Sequence, residues 1–279
     1  MNNLKYNIIN ELKKNKATLI ATITFAILLL VILIVPKLYP SGYFALTDYD
    51  NTNCPPSWKH IFGTDYLGRD VFIRVLEASK LSLEIALISA IVVVVIGTTY
   101  GVISGFYGGK LDMIMMRIVD GLYSLPFIFL CILLVAIFGR NFYLIFVAIA
   151  CVSWLDVARV VRGQTLEIKN KEYIEAAKIM GLNDFTIITK HIIHNLRGTI
   201  LIFMTLTIPS ILYTSTFLGF LGFGVQPPLA GLGELISEGS ANISIGYWWT
   251  LLFPCLFMVL LLLCLNFLSN GIKNIFDTK

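Results

Sequence analysis

Charge is scarce in this sequence. Only 14% of its 279 residues are Asp, Glu, Lys or Arg, where an ordinary soluble domain carries about a quarter. The deficit, with a mean hydropathy of +0.81, makes lipid the solvent. A net charge of +4 is too small and too dispersed to hold nucleic acid. Short alternating strands of roughly ten residues are also missing, which excludes an outer-membrane barrel. Histidine and cysteine are few, three and five. Cys131, Cys151, Cys255 and Cys264 lie in apolar runs, where cysteine acts as a small hydrophobe. Cys54 stands without a partner in a loop. No metal-ligand spacing appears, and the pair His191 and His194 lacks a third ligand.

What is abundant is apolar sequence in long runs. Residues 17–35 and 122–138 contain no charge, and residues 82–104 contain only Glu84. Residues 142–155 are shorter and extend towards Val161. Two windows, 198–233 and 239–272, are wholly free of charge, and each holds one span, near 199–217 and 247–267. With about 17–25 residues per crossing, the expectation is an all-α polytopic membrane protein with six transmembrane helices. The first run exceeds a signal-peptide core and no small-residue cleavage site follows it, so it reads as a retained span. Residues 1–81 then form an N-terminal tail, first span and external loop. Residues 82–279 form a five-helix core with a cytoplasmic excursion at about 156–197.

Basic residues orient the chain. Residues 1–16 carry four lysines and residues 156–197 carry seven Lys or Arg. With six spans both fall on one side, together with Lys110, Arg117, Lys273 and Lys279. The other side receives Arg140, Glu234 and Glu238. Both termini are expected in the cytoplasm.

Smaller signals follow. Pro36, Pro40, Pro55 and Pro56 make an extended external loop, after which Gly63, Thr64 and Asp65 read as a turn or helix N-cap. "SGFYGGKLD", residues 104–112, falls short of a phosphate loop because Ser104 and Leu111 stand where Gly and Ser or Thr are needed. Asp120 is expected to pair with Arg117, and Glu84 with Lys80, along their helices. Arg159 and Arg162 read as positive-inside anchors. "GFGVQPPLAGLG", residues 222–233, reads as either a re-entrant loop or a close-packed turn.

The stretch "EYIEAAKIMGLNDFTIITKHI", residues 172–192, is different: charged, helix-prone and broken once by a glycine. Ile174, Ala177 and Met180 make a narrow apolar stripe. Gly181 suits a helix C′ position with positive φ, and Asn183 or Asp184 can cap a second helix. The expected product is a helical hairpin in the cytosol.

At these residues the chain resembles a known family. "EYIEAAKIMG" followed by "KHIIHN" looks like the EAA loop of ABC-importer permeases. "FGTDYLGRDVFIRVL", "GVISGFYGGKLDMIMMRIVD", "SWLDVARVVRGQ" and "FLGFLGFGVQPPLAGLGELISEG" resemble, in order, the permeases of dipeptide, oligopeptide and nickel importers. His194, Gly219 and Leu232 stand where that family usually has proline, serine and tryptophan. The resemblance implies a type I importer permease fold, with a second homologous permease, two ATP-binding subunits and an extracytoplasmic binding protein as partners. It implies no cofactor in this chain, ATP and Mg belonging to the ATPases, and no catalytic residue. Glu175, Ala176, Ala177 and Gly181 become the ATPase-coupling residues, with cargo drawn from peptides, nickel or metal chelates.

Two other classes set the contrast. An ion-coupled secondary transporter needs polar or charged groups in the middle of broken spans, and the span centres read as having none. An intramembrane enzyme needs a nucleophile with an oriented base, and Ser153 and His191 lie on different segments.

Overall fold

The computed structural model describes residues 16–40, 42–138 and 142–277. Lys5, Lys13, Lys14, Arg140 and Lys279, used above to orient the chain, lie outside the described residues, as does the side chain of Cys131. Among the described residues regular structure is helical, apart from an isolated bridge between Thr64 and Asp70. The order is α1 Lys16–Ile34, α2 Val71–Tyr107, α3 Gly109–Tyr123, α4 Phe127–Phe138, α5 Phe142–Lys169, α6 Glu172–Ile179, α7 Asp184–Phe220, α8 Leu232–Asn242 and α9 Trp249–Asp277.

Four segments are long and apolar enough to cross a membrane: Lys16–Leu38, Val71–Tyr107, Asp184–Phe220 and Trp249–Asn274. The expected third and fourth spans fall on α4 and α5, so length and apolarity alone do not reach the count of six. With 12 residues, α4 rises only ~18 Å against a hydrocarbon core of ~30 Å. It continues α3 across a break at residues 124–126, inside the run 122–138 that reads as one span. The division at 81/82 likewise falls inside the continuous helix α2.

The centre of the bundle is α2, half of whose most apolar window is buried against 17% for α1. Lipid offers no hydrophobic drive between helices, so close packing of small residues has to supply it. Gly97, Gly101 and Gly105 recur every fourth residue along α2 and let α5 approach. A Cβ on them would come within 2.6 Å of the Val157 side chain, 2.5 Å of the Ala158 carbonyl and 2.8 Å of the Arg162 carbonyl respectively. The large apolar side chains point the other way. Ile20, Ile23, Ile27 and Leu30 on α1, and Leu87, Ile88, Ile91 and Val95 on α2, are exposed at helical spacing. In water that would be a liability; in lipid it is the solvated face.

Inside α7, Pro209 cannot donate to the carbonyl of Thr205 four residues earlier. Ser269 on α9 supplies the missing bond, its hydroxyl lying 2.6 Å from that carbonyl. Such repair is what lipid demands of a freed backbone group.

Between α1 and α2 the proline-rich segment is extended, with short 3₁₀ turns at Val35–Leu38, Tyr43–Ala45 and Tyr49–Asn51. The α2 N-cap is Asp70 rather than residues 63–65: its carboxylate accepts from the N–H groups of Phe72 and Ile73. Gly63 (φ +74°) makes the preceding turn. The segment is stapled to α9, where the Trp249 indole donates to the Thr64 carbonyl at 3.0 Å and Phe62 stacks on Phe253.

Candidate functional site

The hairpin between α5 and α7 forms as its residues dictate. Helix α6 ends at Met180, and Gly181 follows with φ +79°. The Leu182 N–H donates to the Ala177 carbonyl at 3.1 Å and the Gly181 N–H to the Lys178 carbonyl at 3.0 Å. This is a Schellman ending, which needs the left-handed residue that glycine provides cheaply. Asn183 then caps the next helix, its side-chain oxygen accepting from the Thr186 N–H at 2.8 Å. One turn of π-helix over Ile187–Ile192 interrupts α7 before its membrane part.

Ile174, Ala177, Ile187 and Ile192 are buried and seat the hairpin on the bundle. Ala177 is 1% exposed and faces inward with Ile174, so of the two alanines assigned to coupling Ala176 is the one left on the surface. One expectation is corrected: Met180 does not join the apolar stripe, and with Ile179 and Phe185 it is exposed at the hairpin tip. These three apolar side chains surround Gly181 among Glu175, Lys178 and Asp184. The Lys178 ammonium sits 5.5 Å from the centre of the Phe106 ring near the end of α2. Lys169 donates to the Phe106 carbonyl at 2.9 Å, which satisfies a terminal carbonyl of that helix. The hairpin therefore rests on the end of α2.

Beside it the basic residues are engaged, not merely anchoring. Arg162 grips Asp112 through Nε and Nη2, the latter at 2.6 Å, and Ser104 donates to the same carboxylate. That guanidinium, helped by the Ser104 hydroxyl, holds the Asp112 carboxyl below its usual range. Arg159 pairs with Asp120 at 2.8 Å and lies over the Tyr123 ring. The expected Asp120–Arg117 pair is replaced by this contact between helices. Lys80 likewise pairs with Glu77 at 3.7 Å rather than with Glu84. The turn over residues 104–112 tightens to Gly108 and Gly109, both at positive φ.

The start of α2 holds a constellation that sequence reading missed. Arg74 on α2 reaches Asp65 at 2.5 Å and Glu238 on α8 at 2.8 Å, with Arg69 closing on the same two acids. The Glu234 carboxylate accepts from the Val225 and Gly231 N–H groups. It pins residues 222–231 as a close-packed turn. A Cβ at Gly219 would lie 2.7 Å from Glu234 Oε2, so glycine there makes room for the acid. Burial pushes the Glu234 carboxyl up, against those backbone donors.

Asp156 sits in the middle of α5, a continuous helix of 28 residues. His191 and His194 fall in and just after the π-helical turn, and among the described residues no group of three metal-binding side chains forms.

With this geometry in view, the comparisons with known proteins converge. Residues 97–279 match the family described as binding-protein-dependent transport system inner membrane component. The chain is 42% identical over 268 residues to the oligopeptide transport system permease protein OppC of Haemophilus influenzae, covering 95% of this chain and 86% of that one. It is 40% identical over 271 residues to the dipeptide transport system permease protein DppC of Bacillus subtilis, covering 96% and 84%. The fold is similar to a solved chain of the inward-facing MetNI methionine ABC transporter, with TM-score 0.60 at 22% identity, covering 73% of this chain and 96% of that one. A central glycine-packed helix, apolar faces turned to lipid and a hairpin seated on the helix ends are thus the parts of a transport subunit, and the chain belongs to the binding-protein-dependent transport system inner-membrane components, the permeases of ABC importers.

Proposed function

We propose that this permease forms, with a second homologous permease, the pathway of an ATP-driven importer for peptides. The relatives named for oligopeptide and dipeptide transport, matched over nearly the whole chain, support that cargo class. In this reading both termini are cytoplasmic and the hairpin projects into the cytosol. An extracytoplasmic binding protein delivers cargo to the outer face. Two ATPase subunits, which bind ATP and Mg, dock beneath.

The observation that carries the coupling assignment is the hairpin tip. Ile179, Met180 and Phe185 are 87%, 72% and 74% exposed in a segment flanked by charge, where lipid does not cover them. An apolar tip with a polar rim suits insertion of a helix into a groove. Ala176 allows close approach and Glu175 lies on the rim. Ala177 seats the helix from below, and Gly181 sets the turn. Rigid connection to α7 transmits the partner's movement.

The test is co-purification of the chain from its native membrane in mild detergent, with ATP-dependent peptide uptake by the recovered complex in proteoliposomes. Two ATPase subunits and one further permease should be retained, and uptake should stop without ATP. Recovery of an active chain that carries peptide without any ATPase would overturn the reading. Orientation is tested separately. Cys54 should react with a membrane-impermeant maleimide added outside, and a cysteine placed at Lys178 only after the membrane is opened.

A further inference from the structure

A cavity of about 420 Å³ opens where the α3–α4 break, α5 and α7 meet. Tyr123, Ser153, Asp156 and Thr214 supply its polar groups, and residues 125–127 and Val152 its apolar wall. Its size falls within the range of small-ligand pockets, roughly 300–1,000 Å³.

Depth can be counted along both helices from their neighbouring ends, Phe138 and Phe142. Phe127 lies 11 residues from Phe138 and Asp156 14 residues from Phe142, which places them at ~17 and ~21 Å. Both values are inside a hydrocarbon core of ~30 Å. A carboxylate at such depth costs several kcal/mol unless it faces a cavity or a cation, and marks a functional site by default. Among the described residues Asp156 takes part in no hydrogen bond or ion pair. Arg159, one turn further along α5, is already held by Asp120 and the Tyr123 ring.

Helix α3 stops at Tyr123, where the Ser124 N–H, the Ser124 hydroxyl and the Leu125 N–H take up the carbonyls of Asp120, Gly121 and Leu122. The cavity at this break therefore draws its negative potential from the Asp156 carboxylate, with the hydroxyls of Tyr123, Ser153 and Thr214 nearby.

We propose that this cavity is a transit subsite for the α-ammonium group of the cargo peptide. Asp156 accepts from the ammonium, and Ser153, Thr214 and Tyr123 offer hydroxyls to the first peptide unit. The apolar wall at residues 125–127 and Val152 packs against the first side chain. Cargo selection at the binding protein would thus be followed by a second reading of the free N-terminus inside the membrane. This rests on the peptide-importer reading above.

The experiment uses the complete importer, with its binding protein and ATPases, in proteoliposomes. Uptake of a tripeptide is compared with uptake of its N-acetylated form. The binding protein is the same throughout, so a change in that ratio belongs to the permease. Asp156→Asn should lower the preference for the free amine about tenfold, as expected for loss of one hydrogen bond to a charged group. Asp156→Glu should keep most of it. Thr214→Val, which removes a hydroxyl facing the first peptide unit and no charge, should lower uptake of both peptides alike and decides the matter if Asp156→Asn fails to assemble.

An unchanged ratio in Asp156→Asn would overturn the proposal, as would unchanged uptake of both peptides in Thr214→Val if that variant alone assembles. So would wild-type uptake that requires sodium or a proton gradient while ATP is present, since the carboxylate would then serve an inorganic cation. Failure of the wild-type complex to take up any peptide would instead sink the importer reading itself.

Discussion

Arg74 and Glu238 are separated by 164 positions in sequence and joined by two hydrogen bonds, Nη1 to Oε2 at 2.8 Å and Nη2 to Oε1 at 3.3 Å. The pair ties the start of α2 to α8, and Asp65 brings the outer loop to the same guanidinium. Replacing Arg74 by Gln leaves two carboxylates sharing Arg69 alone, 2.7 Å from Asp65 and 3.6 Å from Glu238. The expected loss is about 3 kcal/mol, the low end for breaking a buried pair because Glu238 keeps contact with water. Arg74→Lys should fall between, since an ammonium cannot reproduce the fork. Thermal unfolding midpoints in detergent check both, and a Gln variant as stable as wild type would refute the staple.

Gly101 meets the Ala158 carbonyl so closely that an added Cβ would stand 2.5 Å from it. Gly101→Ala must therefore push α2 and α5 apart, at about 1–3 kcal/mol. Gly163, on α5, has open space around the same position, so Gly163→Ala should be neutral or gain up to about 1 kcal/mol of helix propensity. Equal stability of the two variants would contradict packing through the glycine stripe.

Much of the architecture was legible because its signals are local. Charge-free windows mark α7 and α9, and Gly181 with Asn183 marks the hairpin. What stayed hidden depends on which helices are neighbours. Nothing in the spacing of Arg74 and Glu238, or of Asp112 and Arg162, says that they meet. Asp120 and Lys80 each had a basic or acidic neighbour along the helix, and in both cases a different partner won.

Gly181 has no atom within 4 Å of where a Cβ would stand, so Gly181→Val suffers strain and not collision. Left-handed geometry costs a non-glycine residue roughly 1–2 kcal/mol, and a β-branched one more. The turn lies outside the membrane bundle, so abundance in the membrane should stay normal. Co-purified ATPase and peptide-stimulated ATP turnover should fall. Unchanged association in a well-inserted variant would remove the hairpin from the coupling role.

Acid should loosen the junction of α3 and α5. Arg162 holds the Asp112 carboxyl below its ordinary 3.8, so the folded chain gives up that proton more readily than the unfolded one. The stabilisation is complete above the ordinary value and is lost as pH falls through the depressed one. Asp112→Asn lacks the contribution at every pH. Its unfolding midpoint should lie below wild type at neutral pH, and the gap should narrow below about pH 4. A gap that holds constant into stronger acid would argue against the pair.

The π-helical turn at Ile187–Ile192 governs how this chain can change length. Such a turn carries one residue more than an α-helix needs. Deleting one residue there would restore α-helical bonding and leave both flanking segments facing as they do. The same deletion within Ile193–Phe220 would rotate everything beyond it by ~100°, swinging Leu212 and Leu218 out of the core. A one-residue deletion on the way into this span is thus absorbed at the hairpin's second arm, and the segment beyond it keeps its register.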